Sequence, residues 1–565
     1  MPLRRWRART ARAVALALLL IMSTACGMSG DDGGRDRAGS ANQGARGDQK
    51  VTPKAGRGRP TATPTPTPRS DSKSLAWGPT EAEWHRAQQT VAGMTASQKA
   101  GQVIVAGFQG TAAPIESLRR YHVGGVIVMG YNVDSVAQVQ AVNAALHAEA
   151  RNEGRDWPLL VGVDQEGGPV ARVTEPLTEF PSYMTLGAAR DPLLARRVAR
   201  ASGEELRKLG FTMVFAPDAD VTTGPDDPTI ASRSAGDDPD LVSAIVKGSL
   251  RGYADAGILS VPKHFPGHGS VPADSHVSLP VQHASLATLE RRDLVPFAAA
   301  VKDGVSAVMV AHIDVRAVDP GTPASVSKPM IDGVLRKQLG FQGAVFTDAL
   351  EMAGVADKYG SAEAGVRALL AGADVLLLPA SAAKTHDAIM AALSSGRLPQ
   401  ARLDEAAARS IALMLHARST AQKTPSEVEL GGAKDVSYAA SLKGLTVVSG
   451  RCEGRLVGER ISVVGGRSED RARLTEAARK AGLTVGEGGD VVHLLGRGEA
   501  GSGAVVVALD TPYGLARSSA SEARIGLYGR TPEAFHALVD VLTGRARGGG
   551  RLPVHVGDLP AQHCR

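Results

Sequence analysis

Cysteine is scarce in these 565 residues: Cys26, Cys452 and Cys564 are the three, so beyond the head of the chain a single bridge is the most that can form. A dominant charge sign is also lacking once the head is set apart. Lys plus Arg number 64 and Asp plus Glu 58, a formal charge of +6. Five of the positive charges are Arg4, Arg5, Arg7, Arg9 and Arg12, in a first stretch of 25 residues without Lys, Asp or Glu, and setting those five aside leaves +1. That balance excludes a bulk electrostatic binder of nucleic acid. The apolar stretch Ala13–Met22 is too short to span a bilayer as a folded helix. At 43% hydrophobic and 22% charged residues the composition is ordinary for a globular protein, and length alone predicts three or four domains at about 150 residues each.

The arginines, the short apolar run and the small residues Ser23, Thr24 and Ala25 together read as an export signal over residues 1–25. A small residue just before Cys26 resembles the lipobox of bacterial lipoproteins, which predicts a lipidated Cys26 anchored on the outer face of the cell membrane. Ser23 stands where that motif usually has Leu, and a secreted protein without lipid is the alternative. Arg4-Arg5 also fits a twin-arginine signal. From Gly27 to Ser74 there are no aromatics, and Met28 and Val51 are the only apolar side chains larger than Ala or Pro. Such a segment buries too little to offset its conformational entropy, so residues 26–76 are expected to form a disordered Thr/Pro/Gly-rich tether. In an exported chain Cys452 and Cys564 can bridge and close the C-terminal region; two unrelated buried thiols are the alternative.

Between Thr95 and about Arg418 eight short apolar runs recur, each followed by helical spacing: Gln102–Phe108, Gly124–Met129, Pro158–Asp164, Phe211–Pro217, Ile258–His264, Ser306–His312, Gly343–Asp348 and Asp374–Pro379. Runs without alternation suit strands buried on both faces, and strand–helix alternation predicts a parallel sheet. Eight such units predict an α/β fold with a (β/α)8 TIM-like barrel over residues 77–420, its strand ends meeting at one rim. Polar residues fall at those ends: Asp164-Gln165-Glu166-Gly167-Gly168, the stretch Lys263–Gly269, His312, and Thr347-Asp348. A charge at the tip of a buried strand is costly unless paired or used, so their convergence marks a candidate active site. Taken singly, each fits a helix cap or a satisfied core residue as well. After a polar linker around Ser419–Ala433, the runs Thr446–Ser449, Ile461–Val464, Val491–Leu495, Ala504–Ala508 and Arg524–Tyr528 alternate with helical segments such as Ala472–Ala481 and Pro532–Leu542. They predict a smaller α/β sandwich domain over residues 421–565, without a cluster of acid, base and nucleophile candidates.

Lys263-His-Phe-Pro-Gly-His-Gly269, Asp274-Ser-His276 and Phe346-Thr-Asp-Ala-Leu-Glu-Met352 resemble the signature of family 3 glycoside hydrolases, in the β-N-acetylhexosaminidase branch. The segments Met94–Gln102, Asp164–Gly168, Asp237–Pro239 and Leu339–Phe341 fit the same family in the same order, and Leu509–Tyr513 with Leu527–Gly529 resemble the second domain of its two-domain members. The resemblance implies that Asp348 is the nucleophile of a retaining mechanism, and that His276, on a flexible loop and oriented by Asp274, is the acid/base. An i, i+2 pair lies on one side of an extended segment, so Asp274 is expected to reach the imidazole. By the same match Asp164, Arg172, Arg233, Lys263 and His264 would hold a terminal N-acetylglucosamine, with no cofactor and no metal. The implied partner is a carbohydrate such as a peptidoglycan fragment, and the membrane is met only through the lipid anchor. One position departs from the family: Pro169 stands where Arg commonly follows Glu-Gly-Gly.

Three rival readings compete with this one. A metal hydrolase would use His264, His268, Asp274 and His276, but Pro266-Gly267 between the two histidines argues against the helix that presents an i, i+4 ligand pair. A muropeptide-binding lipoprotein without turnover would have no use for Asp348, Asp274 and His276 together. A β-glucosidase-type enzyme is the rival within the family, but those relatives generally take their acid/base from the C-terminal domain.

Overall fold

The structure, a computed structural model, describes residues 73–424 and 427–564. The expected export signal, Cys26 and nearly all of the expected tether lie outside the described residues. Residues just ahead of the expected barrel boundary at 77 already pack with the barrel: Ser74 bridges to Thr80, and Trp77 is buried edge-on against Trp84 at 6.0 Å.

Each of the eight expected runs holds one strand: β1 Ile104–Ala106, β2 Gly125–Val128, β3 Leu160–Val163, β4 Met213–Val214, β5 Leu259–Ser260, β6 Ala307–Val310, β7 Ala344–Thr347 and β8 Leu376–Leu377. Hydrogen-bonded neighbours are parallel throughout, and every residue of β2, β3, β6 and β7 is buried. Val, Ile and Ala therefore fill these strands, because one face meets the barrel interior and the other the outer helices. Phe265 opposite Val310 joins the end of the fifth unit to β6, Phe346 opposite Val375 joins the seventh to the eighth, and Ile104 opposite Leu376 closes the ring. Among the outer helices, Pro192–Lys208 and Pro239–Ala256 pack most closely. A Cβ on Gly248 or Gly252 would stand 2.3 Å or 2.2 Å from the carbonyl oxygens of Pro192 and Arg196, so only glycine permits that approach.

The expected linker is corrected in part. Helix Gln400–Lys423 runs straight through Ser419–Lys423 despite their polarity. Its last carbonyls are claimed from outside: the Arg207 guanidinium donates to Ala421 O at 3.1 Å and to Thr424 O at 2.6 Å, which satisfies groups a helix end otherwise leaves orphaned.

The second domain is a six-stranded sheet: β9 Thr446–Gly450, β10 Arg460–Gly465, β11 Thr484–Val485, β12 Asp490–Leu495, β13 Ser502–Ala508 and β14 Ser519–Gly526, ordered β9-β14-β13-β12-β10-β11. Only the β9/β14 pair is antiparallel. The two-residue edge strand β11 has no counterpart among the expected runs. Helices Ser468–Lys480 and Pro532–Leu542 cover one face through Leu474, Ala478, Phe535 and Leu538. The opposite face sends Val448, Leu495, Val506 and Ala508 against Met184 and Ala188 of the barrel. Cys452 and Cys564 are joined in a disulfide, with Cα atoms 5.5 Å apart.

Candidate active site

Asp348 follows directly on β7. Its N–H donates to Val310 O at 2.9 Å, and its Oδ1 accepts the N–H of Ala349 at 2.8 Å. Burial works against the charge on this carboxylate, but the imidazoles of His264 and His312 and the Ala349 N–H outweigh it and hold the carboxyl below its ordinary range. It is therefore the anionic, unprotonated oxygen that a nucleophile needs. His312, at the end of β6, is a satisfied core residue: Nε2 lies 2.9 Å from Ala349 O and Nδ1 2.6 Å from Ser325 Oγ. A carbonyl only accepts, so Nε2 carries the proton and Nδ1 accepts from the serine.

Beside Asp348 lies a buried lattice of opposite charges. Lys263 Nζ is 2.6 Å from Asp164 Oδ1 and 2.7 Å from Glu166 Oε1. Arg233 binds both oxygens of Glu166 in a fork, each at 2.9 Å. Burial would push Glu166 up, but Arg233 and Lys263 outweigh it and keep it well below the usual carboxylate range. Arg233 Nη2 also sits 3.2 Å from His264 Nε2, and His264 Nδ1 is 2.7 Å from Asp220 Oδ2. A guanidinium has no acceptor, so Nε2 must offer its lone pair and the proton belongs on Nδ1, facing Asp220. Burial and then Arg233 pull the His264 pKa down to about 4, in keeping with a neutral ring. Burial pushes Asp220 up to about 7, against the pull of the backbone N–H groups of His268 and His264.

The expected residues Asp348, His276, Asp164, Arg172, Arg233, Lys263 and His264 all line one cavity, together with Glu166, His268, Ser275 and apolar neighbours such as Met129 and Met352. Asp274 stands behind His276 rather than in the cavity wall. The Arg172 side chain enters with its Nε buried and unpartnered among the described residues. Pro169 is exposed at the tip of the ribbon Gln165–Gly167/Val170–Ala171, outside this cavity.

The Asp274–His276 segment corrects one expectation. It is a tight turn and not an extended stretch, with Asp274 O accepting from the N–H groups of Val277 and Ser278, both at 3.1 Å. The carboxylate of Asp274 accepts the His276 N–H at 2.9 Å and meets Nδ1 at 2.7 Å, so the turn brings together what a strand was expected to. Ser275 points the other way, its Oγ 2.8 Å from His268 Nε2. The His276 side chain is 63% exposed at the mouth, whereas Asp348 is almost fully covered.

Sequence reasoning left three acids without a role. Glu166 lay inside a quoted motif yet is the hub of the lattice. Asp218 and Asp220 close the fourth strand unit, the same strand-end position that flagged the others, and both are fully buried. Asp218, Asp220 and His264 place ligating atoms within 4.8 Å of one another, with the Arg233 guanidinium 3.5 Å from Asp218 as the positive charge beside them. His264, His268 and His276 turn ring nitrogens to Asp220, Ser275 and Asp274 respectively and do not converge on a common point.

Residues 95–413 match the glycosyl hydrolase family 3 N-terminal domain. β-Hexosaminidase A of Pseudoalteromonas piscicida is 35% identical over 319 residues, 52% of this chain and 53% of that protein, so the chain spans about half of that relative. β-Hexosaminidase LpqI of Mycobacterium tuberculosis is 38% identical over 324 residues, 55% of this chain and 80% of that protein. The solved family 3 β-N-acetylglucosaminidase of Paenibacillus sp. str. FPU-7 is 30% identical and superposes with a TM-score of 0.73, covering 83% of this chain and all of that one. With the charged strand ends of its barrel gathered on one cavity and this match across more than half its length, the chain belongs to glycoside hydrolase family 3.

Proposed function

We propose that the protein is a retaining exo-β-N-acetylglucosaminidase that removes terminal N-acetylglucosamine from peptidoglycan fragments or similar glycans. The observation that carries this reading is the pairing, on one cavity, of a buried anionic Asp348 with an exposed loop imidazole backed by Asp274. Among the described residues no lining residue of that cavity comes from the second domain, which speaks against the β-glucosidase alternative. The names of the relatives, β-hexosaminidase and β-N-acetylglucosaminidase, support the same substrate class.

In this reading Asp348 attacks the anomeric carbon while His276 protonates the departing glycosidic oxygen. The C–O bond breaks and a glycosyl ester forms on Asp348. His276, now neutral, takes a proton from water as that water attacks the anomeric carbon and displaces the Asp348 carboxylate, which releases the sugar with its configuration retained and restores both residues. Asp164, Arg172, Arg233, Lys263 and His264 form the wall that receives the sugar, prearranged by Glu166 so that binding spends little on ordering. The export signal at residues 1–25, the tether after it and lipidation of Cys26 belong to the same proposal, with the enzyme held outside the cell membrane.

The test is hydrolysis of an aryl β-N-acetylglucosaminide by residues 73–565, with the anomer of the first-formed sugar followed by NMR. Release of the β-anomer and loss of turnover in Asp348→Ala are expected. Undiminished turnover in that variant, or an α-product, overturns the assignment.

A further inference from the structure

Among the described residues the second domain lends no side chain to the cavity, yet one of its arginines holds part of the wall. Arg497, on the loop after β12, donates from Nη1 to Pro228 O at 2.9 Å and from Nη2 to Asp227 O. That loop is itself anchored, with Gly496 N–H on Glu499 and Arg517 on Gly498 O. The turn it grips is also tied from within. Asp227, 1% exposed, accepts the N–H groups of Thr229, Ile230 and Ala231 at 3.0, 2.8 and 3.0 Å and the Thr222 hydroxyl at 2.9 Å. Ala231 is driven into the left-handed region at φ 49°, a conformation that costs a residue with a Cβ and persists only where its surroundings impose it.

All this restraint serves a short stretch that faces the sugar cavity. Thr229 and Ile230 line it, and Arg233 follows on the same stretch. The Thr229 hydroxyl is buried and has no hydrogen-bond partner among the described residues. A buried hydroxyl left unpaired costs free energy that a ligand can recover by bonding to it.

We propose that Thr229 is a substrate-contacting residue that binds a hydroxyl or amide of the glycoside beside Arg233, and that Arg497 is the positioning residue through which the second domain sets it in place. The inference rests on the glycosidase reading of the cavity and adds to it a specificity residue and a role for the second domain. Among the described residues Arg497 donates hydrogen bonds to carbonyls of the turn alone and does not line the cavity, so it acts through Thr229.

The experiment measures kcat and KM on a panel of aryl β-glycosides: the N-acetylglucosaminide, the N-acetylgalactosaminide and the glucoside. A wild-type preference for the glucoside would correct the substrate assignment and still leave a preferred substrate on which to test Thr229. On whichever glycoside is preferred, Thr229→Val should lower kcat/KM about 3–10-fold, the value of one neutral hydrogen bond, and Thr229→Ser should recover most of that loss. Arg497→Ala, at an exposed position, should raise KM by a similar factor with little change in kcat. The double variant Thr229→Val/Arg497→Ala should lose no more than the worse single, since both act on one contact. Unchanged kcat/KM in Thr229→Val overturns the contact. A lowered Tm with unchanged KM in Arg497→Ala, or additive losses in the double variant, overturns the positioning role.

Discussion

Asp274 holds His276 at two points, with Oδ1 2.9 Å from the backbone nitrogen and 2.7 Å from Nδ1. Nδ1 therefore carries the proton that faces the carboxylate, and in the proposed mechanism Nε2 serves the leaving oxygen. Asp274→Asn keeps an oxygen for Nδ1 but removes the charge that stabilises the imidazolium. The expected result is a kcat on natural disaccharides lowered on the order of 10–100-fold, and a smaller loss on nitrophenyl substrates, whose leaving groups need little protonation. A series of aryl leaving groups of graded pKa checks this; equal losses across the series would contradict an acid role for His276.

Glu166 neutralises two buried cations. In Glu166→Gln both Lys263 and Arg233 lose a charged partner in a place water barely reaches, and stability should fall by about 3–5 kcal/mol. Urea unfolding of the two proteins gives the difference; a loss below about 1 kcal/mol would mean that the lattice relaxes around the change.

Burial pushes the His268 pKa down to about 4. The unfolded chain, with a histidine near 6.5, takes up this proton first, so the contribution is whole above about pH 6.5 and is lost as pH falls toward 4. Between pH 7 and pH 4.5 this site alone should cost about 2 kcal/mol. The fall in unfolding free energy over that window should therefore be smaller by that amount in His268→Gln, and parallel pH curves for the two proteins would exclude the effect.

The disulfide Cys452–Cys564 spans 112 residues and ties the end of the chain to the loop after β9. Opening so long a loop in the unfolded state should lower stability by about 2–4 kcal/mol in Cys452→Ala/Cys564→Ala, read as a shift in thermal midpoint. Since neither sulfur lies near the sugar cavity, KM for the aryl glycoside should stay the same.

The barrel strands were plain in the sequence because burial on both faces leaves almost no polar residue inside a run, and polar residues then stand out at the ends. That is why Asp348, Lys263 and His264 could be named in advance. The missed acids fail by the same logic: a single Asp after a strand looks like a helix cap, and Asp220 gains its meaning only when ring closure brings His264 alongside. Asp274 and His276 were paired correctly through an incorrect backbone, since i, i+2 side chains converge on a tight turn as well as on a strand. Ser419–Lys423 looked like linker because the carbonyl-capping Arg207 is more than two hundred residues away in sequence. Thr229 carries no charge and belongs to no motif, so nothing but its unpaired hydroxyl marks it.

The apolar seam where Met184 and Ala188 meet Val448, Val506 and Tyr528 has a practical consequence for anyone cutting the gene in two. Ser182 Oγ donates to Tyr528 O at 2.6 Å and Arg551 N–H to Ala188 O at 3.0 Å, so separation strips backbone partners as well as oil from both halves. A barrel expressed alone to Lys423 would present a wet hydrophobic scar where its neighbour had been, and such a surface drives self-association. Soluble expression should therefore require both halves in one polypeptide, or polar replacements written across that scar.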